Sequence, residues 1–152
     1  MNLEVFSLVF KALSDKTRLR IIGLLLRSGK DLCVCEIADS LSEPQYKISK
    51  HLKELKFAGL VEEKKEGKWV NYSLAAAEDR FKKFLFKAIA SIPEEITASD
   101  EKRLAARLSL RENGLCIVGL QNKKWETILK HIEKDKENLG DVPLKKYQRL
   151  SG

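Results

Sequence analysis

Apolar side chains recur every three or four residues in four successive segments of the first sixty residues, which is the spacing of one face of an α-helix. Helices are predicted over residues 3–13, from the Ser14-Asp15 cap to Gly29, over residues 34–41, and from Ser42 to Gly59. In the fourth helix Ser42 is predicted as the N-cap, with Gln45 completing a capping box and Pro44 in the first turn.

The periodicity changes from helical spacing to alternation after Gly59. A charged stretch, EEKKEGK, separates Leu60-Val61 from a segment in which apolar and polar residues alternate through Leu74. This pattern predicts a two-stranded hairpin that turns at Glu66-Gly67. A fifth helix is then predicted with one broad apolar face, which must be covered by the domain or by a second copy of the chain. Its apolar positions are Phe81, Phe84, Leu85, Ala88 and Ile89.

The polar stretch after the fifth helix is typical of a boundary, so two parts are predicted: residues 1–92, and an extension of residues 93–152 whose role the sequence does not define. Within the extension, a helix capped by Ser99 is predicted to run as far as Gly114. A strand-length apolar run follows, and then a helix that begins at Asn122. The last dozen residues are predicted to form a poorly ordered tail.

Composition places the chain among globular proteins. Its 152 residues are 43% hydrophobic and 34% charged, which allows a packed core and argues against a disordered chain. No apolar run approaches the roughly 20 residues that a membrane span requires, so we expect a soluble, cytoplasmic protein with no membrane partner.

The formal charge is +7, and residues 1–92 carry 17 basic against 12 acidic side chains. This excess is compatible with a nucleic-acid partner but does not establish one.

The predicted element order is that of a winged helix-turn-helix: three helices with a tight connection, a basic fourth helix and a hairpin. We therefore predict a mainly α (α+β) fold with a two-stranded β-hairpin wing and a C-terminal α-rich extension. In this arrangement the N-terminal residues of the fourth helix, the recognition helix, reach the base edges in the major groove of DNA.

The fourth helix is predicted to bury Ile48, Leu52 and Leu55 and to turn a polar face outward. Glutamine can read adenine, lysine can reach guanine or phosphate, and serine and tyrosine can bond phosphate oxygens. The same face is equally compatible with an ordinary solvated surface. His51 either donates to a phosphate or packs at the edge of the core. The candidate DNA contacts on the outward face are Gln45, Tyr46, Lys47, Ser49, Lys50 and Lys53.

Cysteines supply the candidate chemistry. The chain has three cysteines, and so small and odd a number argues against a disulfide scaffold. Cys33 and Cys35, in the segment DLCVCEI, are either small buried residues or a thiolate site at a helix N-terminus. On a regular helix, residues i and i+2 point about 200° apart. We therefore expect both sulfurs to hold one ion only if the first turn of the third helix is distorted, which would disturb the recognition helix.

Three segments, DLCVCEIADSL, YKISKHLKELKFAGLV and EGKWVNYSL, resemble the ArsR/SmtB repressors over about residues 3–90, particularly the arsenic-responsive branch with its (E/D)LCVC(D/E)L element. The resemblance implies a homodimeric winged-helix repressor of its own resistance operon that leaves DNA when As(III) or Sb(III) binds. Cys33 and Cys35 match the metalloid ligands, and Lys68 matches the basic residue of the wing. The positions that match the recognition helix are Gln45, Lys47, Ser49, Lys50 and His51.

The chain departs from this family pattern in two ways. Some members carry a third cysteine at the place that Ala38 occupies here. Cys116, in the apolar run LCIVGL, is either the missing third metal ligand or a core residue. The extension over residues 93–152 is also longer than the family leads us to expect. Cd(II) or another thiophilic ion is a further candidate inducer.

Other functions fit the sequence less well. The chain has no CxxC, GxGxxG, P-loop, GxSxG or HExxH motif, and it has two histidines, so we predict neither an enzyme nor an organic cofactor. A thiol redox switch on the same DNA-binding domain is one alternative. The other is a protein-interaction module that has lost DNA binding. Operator binding under reducing conditions, and release by arsenite or by peroxide, distinguish these hypotheses.

Overall fold

The computed structural model describes residues 2–119 and 122–139. The chain divides into two compact units between Leu120 and Gln121. The described elements of the first unit are α1 (Leu3–Leu13), α2 (Lys16–Ser28), β1 (Leu32–Cys33), α3 (Val34–Leu41), α4 (Gln45–Phe57), β2 (Val61–Glu66), β3 (Trp69–Leu74), α5 (Arg80–Ala90) and α6 (Glu94–Leu108). The second unit contains α7 (Lys123–Leu139), and the predicted C-terminal tail lies outside the described residues.

Helices α1, α2, α3 and α5 lie where the apolar periodicity predicts them. Capping explains their sharp boundaries. The Asp15 carboxylate accepts a hydrogen bond from the backbone N–H of Arg18 at 3.1 Å, as expected of an N-cap. Gly29 ends α2 in the left-handed conformation, with φ of 60°.

The start of α4 differs from the prediction. Ser42 is not its N-cap but the C-cap of α3, in a left-handed conformation with φ of 53°. The backbone N–H of Glu43 then donates to Ala38 at 3.0 Å, which closes the end of α3. Helix α4 therefore begins at Gln45 after Pro44, without a side-chain cap. The predicted capping box is wrong because the same serine already terminates the preceding helix.

The predicted wing is confirmed, and one strand is added to it. Strands β2 and β3 form an antiparallel hairpin whose turn contains Gly67, with φ of 59°. Strand β1 pairs with the other edge of β3, so that Leu32 lies opposite Tyr72 and Cys33 lies opposite Asn71. A strand of two residues is too short to show alternation, which is why the sequence pattern does not reveal it.

The core is formed by the aliphatic faces of α2, α3 and α4, on which Ile21, Ile37 and Leu52 are fully buried. The described part of the chain contains no helix that is both long enough and apolar enough to cross a membrane. Helices α1 and α5 meet through aromatic contacts, in which the ring centroids of Phe6 and Phe81 lie 4.7 Å apart.

Helix α6 belongs to the first unit. It begins at Glu94 rather than at Ser99, and it packs on α2 and α3 with Leu104 in the main core. The compact unit consequently continues past the boundary expected at residue 92. The apolar run from Leu115 is an irregular loop rather than a strand, apart from a single bridge between Glu112 and Leu115.

Candidate thiol site and nucleic-acid interface

The three cysteine sulfurs lie together in the first unit. The Sγ atom of Cys33 is 2.9 Å from that of Cys35 and 3.0 Å from that of Cys116, while Cys35 and Cys116 are 3.7 Å apart. All three side chains are buried free cysteines. The structure thus brings all three predicted sulfur ligands together, and their binding of an ion stays a prediction.

The two cysteines of the CxC segment converge without any distortion of α3. Cys33 is the N-cap residue, with extended backbone angles of φ −80° and ψ 161°, while Cys35 lies in the first turn of the helix. Because Cys33 precedes the helix, the offset of about 200° between residues i and i+2 of a helix does not apply to it. The geometric reason for expecting a distorted turn therefore does not apply to Cys33, and the effect of a bound ion on α3 stays a prediction.

A buried carboxylate organises the start of α3. Glu36 is fully buried, and its Oε1 accepts a hydrogen bond from the backbone N–H of Cys33 at 3.1 Å. Arg111 donates to both oxygens of the same carboxylate, at 2.6 and 2.7 Å, and to the carbonyl oxygen of Asp31 at 2.8 Å. The charge of Glu36 is therefore paired, and the backbone of Cys33 is held in place.

Two further arginines extend this contact along α3. Arg103 donates to the carbonyl oxygen of Ser40 at 2.6 Å, and the fully buried Arg107 donates to the Asp39 carboxylate at 2.8 Å. Sequence reasoning missed these arginines. The signal that could have revealed them is the four-residue spacing of Arg103, Arg107 and Arg111, together with the acidic residues at positions 36 and 39 of α3.

Arg107 also positions the loop that carries Cys116. Its Nη2 donates to the carbonyl oxygen of Val118 at 2.5 Å. The sulfurs of Cys35 and Cys116 lie 3.7 and 3.6 Å from that same oxygen. One guanidinium therefore connects α3, α6 and the loop at the point where the thiols meet.

The thiols share their protons unequally. Hydrogen bonds from Cys33 and Cys35, assisted by the charge of Arg107, hold the pKa of the Cys116 thiol far below its ordinary value. Hydrogen bonding to Cys116 raises the pKa of Cys35 to about 11, and it raises the pKa of Cys33 as well. These shifts favour the thiolate form at Cys116 and the protonated thiol at Cys33 and Cys35.

The donor set fits a soft, thiophilic ion. With metal–sulfur bonds of about 2.3 Å, as for zinc, the sulfurs around one ion lie within roughly 4 Å of one another. All three observed separations meet this condition. Thiolates select soft ions, and a set of three suits an ion that takes three ligands.

Two clefts reach this site from the surface. A cavity of about 450 Å³ lies between the tip of the wing and the loop of residues 115–117, and Cys116 is part of its lining. A second cavity of about 240 Å³ is lined by Cys116 together with Arg111 and Asn71. Cys116 is therefore the sulfur through which a ligand can reach the buried cluster.

The predicted DNA-binding side chains lie on the outward face of α4 and at the tip of the wing. Lys47 and Ser49 are half-buried, and Lys47 donates to Glu43 at 3.2 Å. His51 is half-buried, with Nδ1 4.0 Å from the Asp15 carboxylate. The fully exposed members of the set are Gln45, Tyr46, Lys50, Lys53 and Lys68. Contacts of these residues with DNA stay predictions.

Comparison with known proteins agrees with this architecture. A profile described as "Bacterial regulatory protein, arsR family" matches residues 15–63. The chain is 38% identical over 98 residues to the arsenic resistance transcriptional regulator ArsR1 of Pseudomonas putida, covering 64% of this chain and 76% of that protein. It is 48% identical over 67 residues to the arsenical resistance operon repressor of Escherichia coli, covering 44% of this chain and 56% of that protein.

A similar solved structure is the homodimeric winged helix-turn-helix DNA-binding domain Mb0332 from Mycobacterium bovis. The TM-score is 0.52 and the identity 30%, over 61% of this chain and 82% of that one. The fold is thus that of a winged helix-turn-helix DNA-binding protein. The chain belongs to the arsR family of bacterial regulatory proteins, so the resemblance expected from its sequence is confirmed, and it is a transcriptional repressor of that family.

Proposed function

We propose that the chain is a metalloid-responsive repressor. A homodimer binds operator DNA while the thiols are free, and it dissociates from DNA when Cys33, Cys35 and Cys116 hold As(III) or Sb(III). The observation that carries this proposal is the convergence of three free thiols within 3.7 Å of one another. Two similar proteins, from Pseudomonas putida and Escherichia coli, are named for arsenic or arsenical resistance.

Charge balance supports a trivalent ion over a divalent one. The buried charges of Arg107 and Asp39 already offset each other across a contact of 2.8 Å. Three thiolates around As(III) or Sb(III) make a neutral group, whereas three thiolates around Cd(II) carry a net charge of −1. Because the pKa shifts favour a thiolate at Cys116, As(III) or Sb(III) would neutralise a charge that the free cluster already buries, whereas Cd(II) would leave that charge in place at a cost of several kcal/mol. Cd(II) is consequently the weaker candidate inducer.

The energy of such a site is sufficient for a switch. Shifting a two-state population from 1:99 to 99:1 requires differential binding of about 5.5 kcal/mol. Structural metal–thiolate sites provide on the order of 10 kcal/mol or more. A site with three thiolates can therefore release DNA even if only about half of its binding energy distinguishes the two states.

The DNA-binding surface consists of α4 and the wing. Gln45 and Lys50 lie near the start of α4, and we expect them to reach base edges and phosphates. Lys68 lies at the wing tip. Nearby, Lys56 forms an ion pair with Glu63 and Lys64 forms one with Glu66, whereas Lys68 forms no ion pair with the described residues. The remaining proposed contacts are Tyr46, Lys47, Ser49, His51 and Lys53.

A second copy of the chain covers the apolar surface of α1 and α5. Phe10 and Phe84 are each 57% exposed, and Leu3 lies on the same pair of helices. Exposed apolar surface of this kind is typical of a protein interface. The domain from Mycobacterium bovis that this chain resembles is homodimeric. A two-fold dimer implies an operator with half-sites about 34 Å apart, or a multiple of that distance.

The cluster also supports a second candidate function, release of DNA by thiol oxidation. The Sγ atoms of Cys33 and Cys35 are only 2.9 Å apart, so an oxidant such as peroxide could join them in a disulfide.

Free thiols persist in a reducing compartment, and we place the protein in the cytoplasm on that ground.

A titration of the DNA complex tests both candidates. DNA selected by the protein from a random pool is followed by fluorescence anisotropy with reductant present, while arsenite, antimonite, cadmium and zinc are added in parallel. We expect release by arsenite and antimonite at the lowest concentrations. Cys33→Ser and Cys35→Ser should keep DNA affinity and lose this release. Release by peroxide but not by arsenite would establish the redox alternative instead.

Cys116 is tested separately, because its ligand role rests on the extension. Cys116→Ser should retain DNA affinity and lose about 100-fold in arsenite affinity, since one of three ligands accounts for roughly 3 of about 10 kcal/mol. Unchanged arsenite affinity in this variant would reduce Cys116 to a packing residue.

A further inference from the structure

Trp69 lies between the thiol cluster and the tip of the wing. It is the first residue of β3, and its half-buried side chain packs against the three cysteines. The ammonium group of Lys68 lies over the same indole ring, 5.2 Å from the ring centroid. A single side chain therefore contacts the proposed metalloid ligands and also a proposed DNA contact.

The backbone makes a second connection between the cluster and the wing. Cys33 lies in β1, directly opposite Asn71 of β3. The side chain of Asn71 in turn donates to the Glu66 carboxylate at 3.0 Å, across the turn of the hairpin. The pairing of β1 with β3 therefore joins Cys33 to the strand that carries Trp69.

The Cys116 loop completes the contact from the other side. It faces the wing across the cavity of about 450 Å³, whose lining includes Lys68, Trp69 and Cys116. A Cβ atom added at Gly119 would lie 4.0 Å from the Trp69 ring, so the loop passes close beside the indole. The cluster is thus enclosed by α3, by the loop and by the wing.

These three surroundings differ in how firmly they are held. The start of α3 is fixed by the buried Glu36 carboxylate, which pairs with Arg111 and Cys33, and further along by Arg107 and Asp39. The wing tip instead exposes Gly67 and Lys68 to solvent. An adjustment of the sulfurs is therefore accommodated more readily by the wing than by α3.

We propose that Trp69 is a positioning residue that couples the thiol site to DNA through the wing. Ligand binding at the cysteines displaces Trp69 and with it Lys68, so that DNA affinity falls while α3 and α4 keep their conformation. This inference rests on the proposed function, because it names the route by which the same thiol site acts.

Substitution of Trp69 tests the coupling directly. In Trp69→Ser we expect the arsenite affinity of the free protein to change by less than about threefold. The DNA affinity without arsenite should fall toward that of the arsenite-bound native protein, because Lys68 loses the ring that positions it. The factor by which arsenite weakens DNA binding should fall from the range of about 5–150, typical of allosteric coupling, to less than about threefold. Trp69→Phe should restore most of it. Glu62→Ser, an exposed substitution at the opposite end of the wing, is the matched control.

Tryptophan emission provides a readout that does not depend on DNA or on the folding of Trp69→Ser. The chain has two tryptophans, so Trp125→Phe leaves Trp69 as the sole fluorophore. Its emission should change in step with arsenite occupancy, and this change should be lost in Cys33→Ser. Constant emission while arsenite binds would overturn the proposal.

The outcomes separate this inference from the proposed function. If Trp69→Ser binds arsenite and still releases DNA as well as the native protein, the repressor function stands and coupling through Trp69 is refuted. If the native protein binds no arsenite, or binds it without releasing DNA, the proposed function fails and this inference fails with it.

Discussion

Arg111 donates hydrogen bonds to both oxygens of the fully buried Glu36 carboxylate, at 2.6 and 2.7 Å. The two residues are 75 positions apart in the chain, and Glu36 also holds the backbone of Cys33. The part of the extension that carries α6 and Arg111 is therefore built into the first unit. It supplies the charge that lets a carboxylate be buried beside the thiol site.

Loss of this pair is the first predicted effect. Arg111→Met should lower the free energy of unfolding by about 3–5 kcal/mol, because it leaves the Glu36 charge buried without a partner. Urea denaturation followed by circular dichroism measures the change. The double variant Arg111→Met, Glu36→Gln should recover part of the loss, since it removes the unpaired charge. Lys102→Met, on the exposed side of α6, is the control, and a loss no larger than the control's would contradict the role given to Arg111.

Much of the first unit could be predicted from its sequence, because its helices carry a continuous apolar stripe and strong end signals. Asp15 and Gly29 mark the ends of α2 through local hydrogen bonding and backbone conformation. Ser42 misled the prediction of α4, since a polar residue between two helices can close the first or open the second. Strand β1 could not be predicted, because its pairing partner, β3, lies about forty residues away.

The thiol site was only partly predictable. The CxC segment is a local motif, and Cys33 and Cys35 can be selected from sequence alone. The arrival of Cys116 beside them depends on Arg107, which links α3 to the carbonyl of Val118. The four-residue spacing of the arginines places them on one side of the chain, but it does not show which element, more than 65 residues away, they contact. Helical geometry does not predict the convergence of the Cys33 and Cys35 sulfurs, because Cys33 precedes α3 and is extended.

Proton balance predicts opposite pH dependences for arsenite and cadmium. The pKa of Cys116 is lowered and that of Cys35 is raised to about 11, with Cys33 raised as well, so near neutral pH the cluster holds one thiolate and two thiols. Cadmium ion displaces the two remaining protons, so its affinity should rise by about 100-fold per pH unit. Arsenous acid releases three waters and therefore takes up one proton, so its affinity should fall by about tenfold per pH unit.

Isothermal titration between pH 6.5 and 7.5 in buffers of different ionisation enthalpy measures both slopes and the number of protons exchanged. Cys116→Ser is the informative comparison. Without the thiolate at Cys116, the two remaining thiols are both protonated. Cadmium still displaces two protons, so its slope should stay the same, whereas arsenous acid releases two waters with no net proton, so the pH dependence of its binding should disappear. Three protons released by cadmium, together with an arsenite affinity that does not depend on pH, would show that the native cluster holds no thiolate.

Charge placed on the exposed face of α5 should dissociate the proposed dimer. Phe84 is 57% exposed next to α1, and in a dimer Phe84→Asp would bury an unpaired carboxylate. We expect a monomer by sedimentation velocity and a loss of high-affinity DNA binding. Ile96→Asp is a matched control, because Ile96 is 60% exposed on α6 and away from the proposed interface. A Phe84→Asp protein that remains dimeric would place the interface elsewhere.

Two substitutions on α4 should weaken DNA binding in distinguishable ways. Lys50→Ala removes one exposed ammonium, so it should weaken binding to all sequences and lower the slope of log affinity against log salt by about 1. Gln45→Ala, at the first position of the helix, should cost about 1–3 kcal/mol on the selected site alone, because a bidentate base contact is lost. Binding to the selected site and to a scrambled duplex, measured over a series of salt concentrations, separates the two effects. If Gln45→Ala weakens binding to both duplexes equally, Gln45 contacts the DNA backbone rather than a base. The residues that recognise the base sequence then lie further along α4.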